Sequence, residues 1–239
     1  MQRVCPARPL PRAHTVNSAL PPFSPQAEGP APNVAPILEA IRMAPSSFGI
    51  QPYKVHVVTA AATKEALMPV CYGQAQVGQA SHVLVFTAAK DCAAMGERYI
   101  AANKLDEFNP GYAGMIRGSM GGIAKAGASE AWAAKQAYIA LGFGLAAAVS
   151  FARHRHLLAA LRALNRFPPK TLSQQAELRI PSCPMEGFDA AAVGTILAIP
   201  DTHFVAVVLA VGRAHADEKA ATGGYPQFRF PEAELISVL

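Results

Sequence analysis

Three short stretches of the 239-residue chain place polar groups in loops beside predicted regular elements. The first, APSSFGIQPYKV (44–55), holds two hydroxyls, a glycine and a glutamine between a predicted helix and a predicted strand. The second, PMEGFD (184–189), is typical of a tight turn in which glycine leaves backbone N–H groups free just before a helix. The third, FRFP (228–231), sets one arginine between two aromatic rings. Each alone is also typical of a structural loop, but loops on a rigid scaffold commonly carry binding sites.

The common signatures of other site classes are absent from the sequence. No GxGxxG, GxxxxGKS/T, GxSxG or HExxH occurs, which argues against the usual nucleotide, hydrolase and zinc sites. The four cysteines are far apart and form no CxxC pair, so we expect reduced thiols and neither a disulfide framework nor a metal site. They are Cys5, Cys71, Cys92 and Cys183.

Strands that alternate with helices predict an α/β domain that must position these loops. Continuous or β-branched apolar runs predict strands at 54–59, 82–90 and 203–212. Helical patterns occupy 36–44, 64–71, 92–106, 130–148 and 189–199. We expect the stretch 111–127 to be too rich in glycine to hold a helix throughout, and the C-terminal tail to be extended.

The N-terminal segment 1–35 differs in composition from the domain that we assign to 36–239. Nine of the twenty prolines lie in residues 1–36, which excludes a helix or an inner strand there. Three arginines against a single acid are typical of an organelle transit peptide, while a disordered tail or an incorrectly predicted start also fits. The location is therefore open between the cytoplasm and an organelle, either chloroplast or mitochondrion.

One segment, 149–175, accounts for the net charge of +5, because it holds five basic residues and no acid. The other 16 bases balance the 16 acids, so the charge gives no general reason to expect nucleic acid as a partner. Nucleic-acid binding through this segment alone is a weaker alternative. Deleting it joins GLAAA to AELRIPSCPMEGFD, and its Val-Ser and Gln-Gln ends can be encoded by intron borders. We interpret it as either a retained in-frame intron or a genuine basic insertion.

The 17 residues from Gln136 to Ala152 contain no charge. This length is at the lower limit for a bilayer span of about 17–25 residues, and weakly apolar Ala and Gly dominate the stretch. The composition therefore favours a helix buried in the protein or in a subunit interface over contact with a membrane.

The serial order of five motifs resembles the nitroreductase family over residues 36–239. The motifs are APSS…QP, QASHVLVF (79–86), AWAAKQAYIALG (131–142), PMEGFD and FRFP. This resemblance implies an α+β fold with a mixed central sheet flanked by helices, and a homodimer with FMN at the subunit interface. The helix at 130–148 would then be a long buried helix in the dimer core.

The resemblance also implies roles for particular residues. A Pro-Ser-Ser loop would reach the flavin from the neighbouring subunit, the PMEG turn would offer a backbone N–H to flavin N5, and the late arginine would contact the phosphate. Glu186 and Gly187 would thus lie under the reactive edge, without a metal. The implied cofactor-binding residues are Pro45, Ser46, Ser47, Gln76, Pro184, Met185, Glu186, Gly187 and Arg229.

The implied function is an FMN-dependent oxidoreductase that uses NAD(P)H to reduce nitroaromatics, quinones or similar small acceptors by ping-pong hydride transfer through flavin N5. The chain departs from the family where a basic N-terminal helix is expected, because the Pro-rich leader stands there. Gly49 and Gln227 also replace residues that are commonly polar or basic. The alternative is therefore a catalytically impaired splice or gene-model variant of the same fold, with weak or no FMN binding.

Overall fold

A four-stranded antiparallel sheet lies at the centre of the fold. The computed structural model describes Phe23 and residues 31–150, 180–213 and 230–237. The strands of these residues are β1 (Tyr53–Val58), β2 (His82–Ala89), β3 (Ser182–Met185) and β4 (His203–Val211). Their order in the sheet is β1-β2-β4-β3, and each neighbouring pair is antiparallel.

Helices pack on both faces of this sheet. The helices of the described residues are α1 (Ala35–Arg42), α2 (Ala61–Val70), α3 (Ala75–Gln79), α4 (Cys92–Ala102), α5 (Leu105–Phe108), α6 (Pro110–Lys125), α7 (Ser129–Ser150) and α8 (Ala190–Ile196). Short helical turns also occur at Ser47–Gly49 and Glu232–Leu235.

The alternating side chains of the strands divide the interior into two main apolar clusters. On one face, Val83 and Val85 pack with residues of α2, α3 and α8. On the other face, Leu84 and Phe86 pack with α1 and α7. A third cluster holds α4 against α6 around Ile100 and Ile116. Because β2 is covered on both sides, its sequence is a continuous apolar run rather than an alternating one.

Helix α7 is buried along one side and exposed along the other. Its buried stripe contains Gly144, where an added Cβ would lie 2.9 Å from Ile41 Cγ1 of α1. The opposite side exposes an almost uncharged stripe that includes Tyr138, Ile139, Gly142 and Ala146. The sequence predicted a buried helix, and within a single chain only one side of α7 is buried. In the described part of the chain, no helix combines the length and hydropathy needed to cross a membrane.

The structure confirms the α+β class, the three predicted strands and the predicted helices at 36–44, 92–106, 130–148 and 189–199 to within a few residues at most ends. Asp189 caps α8 as expected, because its carboxylate accepts from the amides of Ala191 and Ala192. Leu67 of α2 is buried, and Pro69 falls in its last turn.

The prediction that 111–127 could not form a continuous helix is wrong, because α6 covers most of that stretch. Pro110 starts the helix and the Asn109 side chain caps it by accepting from the Tyr112 amide. Ile116 and Met120 are buried against α4, where Gly96 allows close approach. Tertiary packing thus outweighs the low helix propensity of glycine.

Three further differences concern strands and the tail. The described strands contain no parallel pair, whereas a mixed sheet was expected from the resemblance. The first half of PMEGFD is not a turn, because Pro184 and Met185 belong to β3. The tail is helical at Glu232–Leu235 rather than wholly extended, since the Pro231 and Glu232 carbonyls accept from the Glu234 and Ile236 amides.

The two segments that the sequence set apart lie mostly outside the described residues. Phe23, which the composition assigned to the leader, is fully buried, and Gly212 leaves room for its ring. The segment 149–175 lies outside the description except for the helical backbone of 149–150. The described residues on either side of the range 151–179 are in contact, because the Ile180 amide donates to the Ala148 carbonyl at 3.2 Å.

Candidate functional site

The Pro-Ser-Ser loop is fixed by a buried side chain of α7. The Ser47 amide donates to Gln136 Oε1 at 2.9 Å. Gln136 is only 5% exposed, and its Nε2 donates to the Trp132 carbonyl. Because Gln136 is held by its own helix, this contact fixes the loop backbone relative to α7.

The same loop is tightly bent just after its serines. Phe48, Gly49 and Gln51 have φ angles of 57°, 78° and 49°. The Gln51 amide donates to Ser46 Oγ at 2.9 Å, which closes the bend. The Ser47 hydroxyl has no hydrogen-bond partner among the described residues.

The PMEG turn exposes its second half. Pro184 and Met185 belong to β3, and Met185 is buried, whereas Glu186 and Gly187 are exposed. The next two amides, of Phe188 and Asp189, donate to the carbonyls of Glu186 and Val70. The Gly187 amide has no acceptor among the described residues. The turn therefore presents one open N–H group where the resemblance implies a contact with flavin N5.

Two side chains from other elements hold this turn. Tyr138 of α7 donates its hydroxyl to Glu186 Oε1 at 2.5 Å. Burial, together with the hydrogen bond and the charge of Glu186, raises the pKa of Tyr138 to about 12. On the other side, Gln74 Nε2 donates to the Gly187 carbonyl at 2.6 Å. Both contacts cross from one element to another.

The Ser47 loop and the PMEG turn lie along opposite edges of α7. Gln136 holds the loop and Tyr138 holds the turn. These residues are two positions apart in the helix, which corresponds to about 200° around its axis. The exposed stripe of α7 runs between these two edges. Within one chain, the two motifs are therefore held at different sides of this helix.

The remaining predicted site residues are placed less directly. Pro45 is exposed at the start of its loop. Gln76 is 1% exposed and donates to Gln74 Oε1 at 3.0 Å, so its observed role is to support Gln74. Its contact with a cofactor stays a prediction. Arg229 lies outside the described residues.

Sequence reasoning missed the three residues that hold the two motifs, which are Gln74, Gln136 and Tyr138. A weak signal existed, because Gln136 and Tyr138 are the polar positions of the apolar run QAYIALG (136–142). Polar groups in such a run usually have partners when they are buried. Gln74 carried no comparable signal.

The arrangement suits the isoalloxazine part of FMN. Such a ring needs hydrogen-bond donors and a close approach to the backbone. The exposed Gly187 and two donors without partners among the described residues, the Gly187 amide and the Ser47 hydroxyl, match these needs. A Cβ on Gly187 would lie 3.2 Å from Gln74 Nε2, so a larger residue would crowd the turn. Among the described residues, no group of three His, Cys, Asp or Glu side chains could hold a metal ion.

Comparison with known proteins gives one consistent result. The model of the nitroreductase family matches residues 22–157. A Thermus thermophilus protein named NADH dehydrogenase is 31% identical over 201 residues, which cover 84% of this chain and 82% of the relative.

Solved structures share the fold at lower identity. A nitroreductase-like protein of Streptococcus mutans has a TM-score of 0.65 at 21% identity, with 95% of each chain covered. A protein of Exiguobacterium sibiricum, solved in complex with FMN, has a TM-score of 0.62 at 17% identity, with 94% of this chain and 93% of that chain covered.

Proposed function

The chain belongs to the nitroreductase family, and we propose that it is an FMN-dependent enzyme that oxidises NAD(P)H and reduces nitroaromatics, quinones or similar acceptors. One observation carries this proposal beyond family membership. The Gly187 amide and the Ser47 hydroxyl, neither of which has a hydrogen-bond partner among the described residues, belong to segments that are held at opposite edges of the exposed stripe of α7. A flat, polar-edged ring between two copies of the chain would contact both groups.

The proposed enzyme is a homodimer. The exposed stripe of α7 is mostly apolar and combines two small residues, Gly142 and Ala146, which allow two helices to approach closely, with the larger Tyr138 and Ile139. In such a dimer, the Ser47 loop of one protomer faces the PMEG turn of the other. The interface would complete the burial that the sequence predicted for this helix.

The residues of the chain hold and orient the cofactor in this proposal. Pro45, Ser46 and Ser47 would line one side, and the backbone from Pro184 to Gly187 would line the other, with Glu186 and Gly187 nearest the reactive edge. Arg229 would bind the phosphate, because a guanidinium matches a phosphate dianion in two parallel hydrogen bonds. When bound, FMN supplies the two-electron chemistry by accepting a hydride from NAD(P)H and passing the electron pair to the acceptor.

Flavin content is the direct test. We expect the purified protein to be yellow, or to become so with added FMN, and to oxidise NADH or NADPH in the presence of a quinone or a nitroaromatic. A variant lacking 149–175 serves as a control for the basic segment. Protein that folds as a dimer but binds no FMN, with or without that segment, would refute this function and favour the impaired variant.

Mixing two inactive variants tests whether the site is shared between subunits. Ser47→Tyr should block one half of the site and Gly187→Leu the other, so each homodimer should bind FMN poorly. A mixed dimer would carry one doubly altered site and one intact site, and random pairing would restore about a quarter of all sites. Failure of the mixture to regain FMN, when mixed dimers are shown to form, would refute the shared site.

A further inference from the structure

The exposed turn at Glu186 and Gly187 depends on other elements for its orientation. Its one internal hydrogen bond runs from the Phe188 amide to the Glu186 carbonyl at 3.1 Å. The other hydrogen bonds that Glu186 and Gly187 form with described residues come from two side chains. Tyr138 donates to the Glu186 carboxylate, and Gln74 donates to the Gly187 carbonyl. These donors come from α7 and from the segment between α2 and α3, so the turn is held from two directions.

Gln74 is a rigid support for this turn. Its Nε2 donates both to the Gly187 carbonyl at 2.6 Å and to the Cys71 carbonyl at 3.1 Å. Its Oε1 accepts from Gln76, whose side chain is almost completely buried. Rotation of the Gln74 amide would break all three hydrogen bonds.

Tyr138 is a permanent donor to Glu186. A phenol whose pKa is raised to about 12 keeps its proton throughout the pH range of ordinary assays. Its hydrogen bond to a carboxylate is of the stronger, charge-assisted kind. The Tyr138 hydroxyl also lies 3.5 Å from the Ala206 carbonyl, which places it between α7 and β4.

We propose that Tyr138 and Gln74 are positioning residues that aim the open Gly187 amide. The inference rests on the proposed function, in which that amide donates to the flavin ring. Tyr138 holds the side chain of Glu186, the residue before the Gly187 amide. Gln74 holds the Gly187 carbonyl, on the other side of the same residue. Small displacements at a reacting centre reduce the rate strongly, so loosening either contact should impair turnover more than substrate binding.

Tyr138 also governs the charge beside the proposed ring. Without the phenol, Glu186 loses a donor that partly neutralises its carboxylate. A less shielded negative charge opposes the addition of an electron pair to a nearby ring. We therefore expect Tyr138→Phe to lower the reduction potential of bound FMN, and Glu186→Gln to raise it.

Hydrogen exchange on the FMN-free protein tests the two contacts independently of the cofactor. In Tyr138→Phe and in Gln74→Met, the Phe188 and Asp189 amides should exchange about two- to tenfold faster, as expected from the loss of one hydrogen bond. Tyr53→Phe is the matched control, because it removes a hydroxyl that donates to the Ile41 carbonyl on another part of the fold. It should leave exchange at 188–189 unchanged.

The holoenzyme provides the second readout. Both variants should lower kcat, expressed per bound FMN, several-fold while the KM for the acceptor stays within twofold. Expressing kcat per bound FMN excludes unfolded protein, which would lower the apparent kcat without changing KM. Unchanged exchange at 188–189 in both variants would overturn the inference, even in a yellow and active enzyme. Faster exchange in a protein that binds no FMN would instead refute the proposed function and leave the two contacts standing.

Discussion

The two edges of α7 hold their loops in different ways. On the Gln136 edge, a buried amide side chain accepts from the backbone of Ser47. On the Tyr138 edge, a side chain that is 37% exposed donates to the exposed Glu186 carboxylate. The first contact involves a side chain of the core, whereas the second lies at the surface. The difference indicates that the first edge is coupled to stability and the second to the proposed chemistry.

The largest change in the free energy of unfolding is expected where α1 packs against α7. This contact bears on the Gln136 edge, because α1 leads into the Ser47 loop. Gly144→Ala would place a Cβ 2.9 Å from buried Ile41, and such overpacking should lower the free energy of unfolding by about 1–3 kcal/mol. Gly118→Ala in α6 is the control, since nothing lies within 4 Å of its added Cβ. It should be neutral or stabilising by up to about 1 kcal/mol. Equal effects in urea denaturation would contradict the role of this contact.

The direct test of the comparison replaces the two anchoring side chains. Gln136→Leu leaves the Ser47 amide without its acceptor and should cost about 1–3 kcal/mol of unfolding free energy. Tyr138→Phe removes a contact at the surface and should cost less than about 1 kcal/mol. Urea denaturation of the FMN-free proteins measures both values. If Tyr138→Phe were the more destabilising change, the proposed division between the edges would be wrong.

Two glycines with positive φ sharpen the comparison further. Gly49 follows the serines with φ of 78°, and Gly73 precedes Gln74 with φ of 70°. Alanine at either position should cost about 1–2 kcal/mol because of the left-handed backbone. The two costs should be similar, since a Cβ on Gly49 would make only ordinary contact with the Tyr99 hydroxyl at 3.4 Å and Gly73 has open space. Thermal denaturation measures both costs, and a loss much larger at one glycine than at the other would contradict this expectation.

The smallest effect concerns the thiols beneath the PMEG turn. Burial raises the pKa of Cys71 and of Cys183 to about 11. At pH 8 their thiolate fraction should therefore be about two orders of magnitude below that of a free cysteine. Peptide mapping after labelling with a thiol reagent should show both sites protected in the native state and labelled on unfolding. Rapid native labelling would show that this edge opens more easily than its contacts indicate.

Local sequence patterns predicted the regular elements where the pattern and the packing agree. The run at 82–90 is a central strand because both of its faces are covered, and Asp189 caps its helix through contacts two and three residues away. Helix α6 was missed because its glycines lower the local helix propensity. The burial of Ile116 and Met120, which stabilises the helix, is not visible in the local pattern. Strand β3 was missed because four residues containing a proline carry little strand signal, although an edge strand tolerates it.

The sequence by itself determined the family, the three apolar strands and the polar content of the two loops. Only the tertiary structure decided which groups of those loops are held and which are open. Gln136 and Ser47 are 89 residues apart in sequence, Tyr138 and Glu186 are 48 apart, and Gln74 and Gly187 are 113 apart. Contacts over such separations have no local pattern, because they exist only once the sheet and α7 bring distant segments together.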